Sequence, residues 1–332
     1  MVSRARKAAA QASYQRTERK NFVFNGDMAV AQRGSSISIG AGAYLYGACD
    51  RWMGWSGSAV AFDMKTSTGV VPDGFRNSLH LDITTADASL AAGDAMYIHQ
   101  KFEGMDLQIL DKGDSAAKAV TVSFWVRSPK TGVHIVELYD TDNSRHCSQS
   151  YTISSADTWE YHSVTFPGDT TGALDNDTVA SFYINFWLQA GSTYSGGGSL
   201  GTTWNTTANT RVVGQVNVGD DAANNFYITG VQMELGNTAT DFQRESYQAN
   251  LERCLRYYFA NYGTNYGQVY STTQSFTNID IQVAFRAVPT FDSYSAIRTT
   301  TGLAYYPSKD HAQVIQTATN GYISNVRLNA EI

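Results

Sequence analysis

Strand-like runs set between turn clusters dominate the chain from Asn21 onward, and they restrict its fold more than any other feature. "AVTVSFWVRS" (119–128), "GVHIVELYD" (132–140), "EYHSVTF" (160–166), "SFYINFWLQAG" (181–191) and "NFYITGVQMELG" (225–236) are rich in β-branched and aromatic residues. Short strands bounded by Gly, Pro, Asn, Asp and Ser predict an all-β sandwich. Composition agrees, since 16% of residues are charged against about a quarter in ordinary globular chains. A length of 332 residues allows one large domain and a smaller one.

Between the last two runs lies "GSTYSGGGSLGTTWNTTANT" (191–210), which cannot pack a core of its own and reads as an exposed, functional or interfacial loop. A helical stripe occurs once. After Ser246, an N-cap by residue type, Tyr247, Leu251, Cys254, Leu255 and Tyr258 recur at helical spacing, which predicts a helix ending near Phe259 or Ala260. Beyond it "IDIQVAF" (279–285) alternates. "VIQTATNGYISNVRLNAEI" reads as a hairpin about Asn320-Gly321, with Val326, Leu328, Ala330 and Ile332 on one face. The expected organisation is an arm over 1–20, a sandwich over 21–243, a connecting helix over 244–262 and a small C-terminal β domain over 263–332.

Charge is segregated. Residues 1–20 hold Arg4, Arg6, Lys7, Arg16, Arg19 and Lys20 against one Glu, leaving 18 basic and 29 acidic residues in the body. A basic arm on an acidic body reads either as a docking tail for an acidic partner surface or as a solvated end. The acidic body argues against nucleic acid. No stretch has the apolar core of a signal peptide or approaches the roughly 20 apolar residues of a membrane span, so membrane insertion is not expected. Cys49, Cys147 and Cys254 are widely spaced and suggest free thiols and no zinc site.

The strand faces opposite the core carry the functional signal. In 181–189, Phe182, Ile184, Phe186 and Leu188 take the core face and leave Tyr183, Asn185, Trp187 and Gln189 outside. In 120–127, Val120, Val122, Phe124 and Val126 leave Trp125 and Arg127 outside, while Glu137, Tyr139, Gln232 and Glu234 take equivalent positions in their strands. If these strands share a sheet, flat rings are interleaved with amide, guanidinium and carboxylate groups. Pyranose rings stack on such rings and their hydroxyls pair with such polar groups. The same face also suits contact with a neighbouring subunit. Loops add Tyr194 and Trp204, together with Trp52 and Trp55, although Trp52 reads equally well as packing beneath Asp50 and Arg51.

No nucleophile elbow, metalloprotease helix or phosphate-binding loop occurs, and the six His show no ligand spacing. Paired Asp such as Asp140 and Asp142 lie in turn-like stretches, where they serve the backbone. No catalytic residue, cofactor or metal is expected.

Several stretches, in order, resemble a family of tail-fibre, receptor-binding or virion structural proteins of tailed phages: "NFVFNGDMAVAQRGSS", "DRWMGW", "HQKFEG", "VTVSFWVRS", "FPGDTTGALDND", "FYINFWLQAGSTY", "TTWNTT" and "YITGVQMELGNTATDFQRESYQANLERCLRYYF". The opening "NGD" and the "YITGVQME" strand also look, more remotely, like jelly-roll carbohydrate-binding modules. Met28, Ala29 and Val30 after Asp27, and Thr229-Gly230 in the last strand, depart from the pattern that holds a structural calcium there, and none is expected. The resemblance implies a jelly-roll β-sandwich on a virion assembled in the host cytoplasm. The subunit would be a homotrimer that docks on other virion proteins through its arm and binds host-surface polysaccharide. Trp125, Arg127, Tyr183, Asn185, Trp187 and Gln189 form the candidate platform, with Tyr194 and Trp204 contributed by loops. The alternatives are a head-decoration or assembly protein whose aromatic face is a subunit interface and, more distantly, a polysaccharide depolymerase.

Overall fold

A computed structural model describes residues 21–331 except 267, 270–274, 281–283, 297–302, 310 and 317–321. The basic arm, with Arg4, Arg6, Lys7, Arg16, Arg19 and Lys20, lies outside the described residues. The chain divides between Glu245 and Ser246 into two compact units.

The first unit is a jelly-roll sandwich of two six-stranded antiparallel sheets. One sheet runs β1 (Ser36–Ile39), β4 (Ala61–Ser67), β5 (Ser78–Thr85), β12 (Asn225–Leu235), β7 (Val120–Arg127) and β10 (Glu160–Phe166). The other runs β2 (Tyr44–Tyr46), β3 (Met53–Ser56), β6 (Ala95–Glu103), β11 (Ala180–Ala190), β8 (Gly132–Asp140) and β9 (Arg145–Ile153). Between them lie the alternate residues expected from the sequence: Val122, Phe124 and Val126 of β7, Ile184, Phe186 and Leu188 of β11, and Val231 and Met233 of β12, all fully buried. Each such side chain contributes about 1.5–3 kcal/mol on leaving water. Trp52 is core as well, with Nε1 donating to the Asn25 carbonyl at 3.2 Å and its ring 6.2 Å from that of Phe186.

A bulge interrupts β12 between Thr229 and Gln232, centred on Gly230 at φ +62°. From there the segment Asn21–Gly26 runs beside the strand, with Phe22 N–H donating to the Met233 carbonyl and Val231 N–H to the Gly26 carbonyl, both at 2.9 Å. Gly26 permits this approach, because a Cβ there would stand 2.1 Å from the Val231 oxygen. The outward Gln232 and Glu234 are buried and turned to structural use. Glu234 accepts from Thr240 N–H and Oγ1, each at 2.8 Å, and Gln232 Oε1 accepts from Gln243 N–H at 2.8 Å. These bonds fold the exit segment back against the sheet.

The second unit opens with helix α2 (Tyr247–Leu255; the short α1 spans Ser192–Ser195), capped by Ser246 Oγ accepting from Ala249 N–H. The helix stops at Leu255, short of the expected Phe259 or Ala260, because Tyr258 opens strand β13 (Tyr258–Tyr266) and the buried Tyr257 and Tyr258 suit extended backbone. Tyr247, expected on the buried stripe, is exposed.

One sheet orders β13, β19 (Tyr322–Asn329) and β16 (Thr290–Ala296). The other orders β14 (Gln268–Val269), β15 (Ser275–Asp280), β18 (His311–Gln316) and β17 (Leu303–Pro307). The expected C-terminal hairpin is therefore not formed: β18 and β19 belong to different sheets, and the Asn320-Gly321 turn lies outside the described residues. An Asn-Gly pair favours local reversal, but β19 occupies the centre of its own sheet and buries Val326 and Leu328 there. Of the run expected over 279–285, Ile279 and Asp280 close β15, 281–283 lie outside the described residues, and Phe285 is buried outside any strand.

Candidate functional site

The expected platform does not exist as one surface. β7 and β12 lie in one sheet and β8 and β11 in the other, so Trp125 and Arg127 face away from Tyr183, Asn185 and Trp187, on the opposite side of the sandwich. Alternation shows which residues leave the core of a strand's own sheet. A sandwich has two such outer faces.

On the β11 side three of the expected residues are buried: Trp187 is 1% exposed, Asn185 2% and Gln189 0%. A register shift between Trp187 and Gln189 sets Gln189 opposite Met96 and reverses the alternation, and its Nε2 contacts Ser58 Oγ at 3.4 Å. Trp187 is covered by the 191–212 loop, which folds back on the sheet instead of standing free. The Trp187 ring meets Tyr194 at 5.3 Å, and the Arg211 guanidinium lies 5.0 Å above it. Protein already fills the position where a sugar would stack on Trp187.

Beneath this cover is a buried polar network. Arg211 forks onto Glu137 (Nε to Oε1 2.6 Å, Nη2 to Oε2 2.7 Å), and Trp187 Nε1 and Asn185 Nδ2 donate to Oε2 at 3.0 and 2.8 Å. Burial opposes ionisation of Glu137, but the adjacent guanidinium and these donors hold its carboxyl below the usual carboxylate range. Because Asn185 gives its amide to Glu137, its Oδ1 faces His99 Nδ1 at 3.2 Å. Burial pushes His99 down to about 3. The neutral imidazole thus carries its proton on Nδ1 and accepts at Nε2 from the Tyr44 hydroxyl, 3.1 Å away.

Along the strands this network lies between two rows of rings, of which Trp55, Tyr97, Tyr183 and Tyr139 are half-exposed. Adjacent strands bring Trp55, Tyr97 and Trp187 into one row and Lys101, Tyr183 and Tyr139 into another. Ring centroids are 4.8 Å apart for Trp55–Tyr97, 5.3 Å for His99–Tyr183, 5.4 Å for Tyr44–His99 and 6.1 Å for Tyr139–Tyr183. Lys101 Nζ sits 5.0 and 5.3 Å from the Tyr44 and Tyr183 rings. Burial raises the phenols of Tyr44, Tyr97 and Tyr183, which stay protonated donors at neutral pH. The face can therefore offer flat apolar rings beside the Tyr97 and Tyr183 hydroxyls, with Lys101 buried behind them. Of the candidate platform residues only Tyr183 and Tyr194 contribute rings to it, joined by Tyr139 and Trp55, to which the strand faces and the loop aromatics also point. Tyr97, His99 and Lys101 were missed, although "AMYIHQK" alternates and carried the signal.

On the opposite face Trp125 is half-buried beside the exposed Tyr161, at 5.5 Å between centroids. Arg127 leans on Tyr227 (5.7 Å) and pairs with the exposed Asp157 at 3.5 Å. Trp204 belongs to neither face. Its Nε1 donates to the Pro167 carbonyl at 2.7 Å and its ring lies 5.8 Å from Phe182 and 4.7 Å from Lys112 Nζ. Lys112 is itself held by the buried Asp140 and Asp169. Trp204 thus seals a buried ion cluster at the sandwich edge, and the Asp140 carboxylate, read as a turn residue, anchors that cluster.

No protein-family model and no curated protein matches the chain. Among solved structures it is similar to the enzymatically active domain of tailspike protein 4 of bacteriophage CBA120, at 14% identity and TM-score 0.32, over 65% of this chain and 21% of that one. It is also similar to a family 61 carbohydrate-binding module solved with β-1,4-galactotriose (10% identity, TM-score 0.33, 66% of this chain and 100% of that one). A family 11 carbohydrate-binding module of Clostridium thermocellum gives 12% identity and TM-score 0.29, over 60% of this chain and 95% of that one. At these identities and scores no residue role passes from one chain to the other.

Proposed function

We propose that this chain is a structural subunit of a tailed-phage particle, a homotrimeric fibre or spike component that docks through its basic arm and binds host-surface glycans without cleaving them. The observation that carries the glycan reading is the set of rings Trp55, Tyr97, Tyr44, Tyr183 and Tyr139, held around the buried row of His99, Asn185 and Glu137 that Arg211 pins. A rigid aromatic face with protonated hydroxyls is what pyranose rings stack on and bond to. The virion reading draws support from the sequence resemblance and from the charge contrast between arm and body.

The second reading, an assembly interface, draws on Tyr44 and Leu45, each 40% exposed on edge strand β2. Glycan-array binding of Tyr183→Ala and Tyr97→Ala separates the two. Loss of glycan signal with unchanged oligomeric mass supports the platform. Undiminished glycan binding with loss of the oligomer refutes it and favours the interface.

A further inference from the structure

The outer face of the other sheet carries a groove of about 720 Å³, and its chemistry is distinct from that of the tyrosine band. The floor is a set of hydroxyls. The exposed Ser163 and half-exposed Thr165 of β10 present it, paired across the ladder with the buried Ser123 and Thr121 of β7; Thr121 Oγ1 donates to the Gly236 carbonyl at 2.7 Å and lies 3.1 Å from Thr165 Oγ1. One wall is the Trp125–Tyr161 pair, with Tyr161 46% exposed. Another is the exit segment 237–242, fixed by its bonds to Gln232 and Glu234, whose Phe242 packs edge-on against Phe75 at 5.3 Å.

Gly230 keeps the groove open. At φ +62°, a Cβ on it would stand 2.6 Å from Phe75 and 3.3 Å from Trp125 Cδ1, so only glycine leaves bare backbone between the two aromatic groups.

The geometry points to a binding site for a neutral saccharide chain, separate from the tyrosine band and on the reverse side of the sandwich. Among the described residues lining the groove the charged ones are Asp241 and Arg244, and the Arg244 guanidinium is drawn over Phe75 at 4.7 Å. A floor of hydroxyls with aromatic walls recognises an uncharged polyol by stacking and reciprocal hydrogen bonds, and it offers an anionic or cationic chain little. An added peptide strand would have to pair along the outer edge of β10, whereas the groove lies on the sheet's face, where strands present side chains and not a backbone ladder. One subunit would then engage glycan on both sides, and avidity would follow from two weak sites.

The test uses the full chain and neutral hexaoses of β-1,4-glucan, β-1,3-glucan, β-1,4-galactan and α-1,4-glucan, read by calorimetry and by the indole NMR signal of Trp125. At least one hexaose is expected to shift that signal. Tyr161→Ala, at an exposed position that leaves the core intact, should weaken binding about tenfold through the lost stacking, and Ser163→Val should weaken it as a second, floor-directed variant. Tyr183→Ala should leave the Trp125 shift unchanged, which separates this site from the tyrosine band. The inference is overturned if none of the hexaoses moves the Trp125 signal, if binding survives Tyr161→Ala and Ser163→Val undiminished, or if Tyr183→Ala abolishes the shift.

Discussion

Replacing Arg211 by Leu tests whether the ring face is held by the buried network between its rows. Glu137 has no exposed side-chain surface, and its carboxylate takes both arms of the Arg211 fork at 2.6 and 2.7 Å. Removing one partner of such a pair strands the other charge, which costs about 3–5 kcal/mol. In the parent chain the Glu137 carboxyl is held below its ordinary range, so its contribution is complete at neutral pH and is lost only as pH falls through its lowered folded value. In Arg211→Leu burial is opposed only by weaker partners such as the Asn185 and Trp187 donors and raises the same group, so acid now relieves the defect by protonating it. The stability gap between variant and parent should therefore be about 3–5 kcal/mol near pH 7.5 and should narrow towards pH 5. Adding Glu137→Gln should recover most of the loss at neutral pH. All six tryptophans fall within 52–204, so urea unfolding followed by tryptophan fluorescence reports the sandwich alone. A loss below about 1 kcal/mol, or a gap that does not change with pH, would refute the idea that this pair is the anchor of the 191–212 cover.

Two further outcomes follow from the same structure. Burial holds His99 down to about 3 and His134 to about 4, so both stay neutral in the fold yet protonate in the unfolded chain below its ordinary value. Stability is thus full above the unfolded value and falls with acid, and the two groups should together remove about 3 kcal/mol between pH 7.5 and 5.5, read as the shift in urea midpoint. A flat profile over that range would contradict their neutral burial. Glu234→Leu leaves the Thr240 N–H and hydroxyl without their acceptor and removes one of the acceptors of Gln232 Nε2, and should cost about 2–4 kcal/mol while speeding amide exchange across 237–243. Unchanged exchange in that segment would show that the exit is fixed by other contacts.

How far the sequence carried depends on which physical signal was local. The sandwich strands β7, β8, β10, β11 and β12 were legible, as were their core residues and the Ser246 cap, because period-two burial and capping chemistry are written within a few residues. The separation of β18 and β19 into different sheets, in place of the expected hairpin, was not legible, because β19 pairs with β13 and β16 across long separations that a turn dipeptide cannot report. Gln189 was misplaced by a bulge, and a single extra residue reverses every face beyond it.

The split of the candidate platform has a deeper cause. Outward residues on Trp-rich strands look alike whichever sheet they join, since the same alternation serves both layers of a sandwich. What distinguishes the two faces is the chemistry that covers them. Over β11 the 191–212 loop brings Arg211 to Glu137, and the largest ring of the set, Trp187, becomes a buried support while smaller tyrosines hold the surface. Over β7 the exit segment that Gln232 and Glu234 tie down leaves Thr121 and Ser123 buried but keeps Trp125 half-exposed at the groove. The sequence block "QMELGNTATDF" therefore acts first on structure. Its alternate polar residues build one wall of a groove, and any recognition there depends on that wall being set before a ligand arrives.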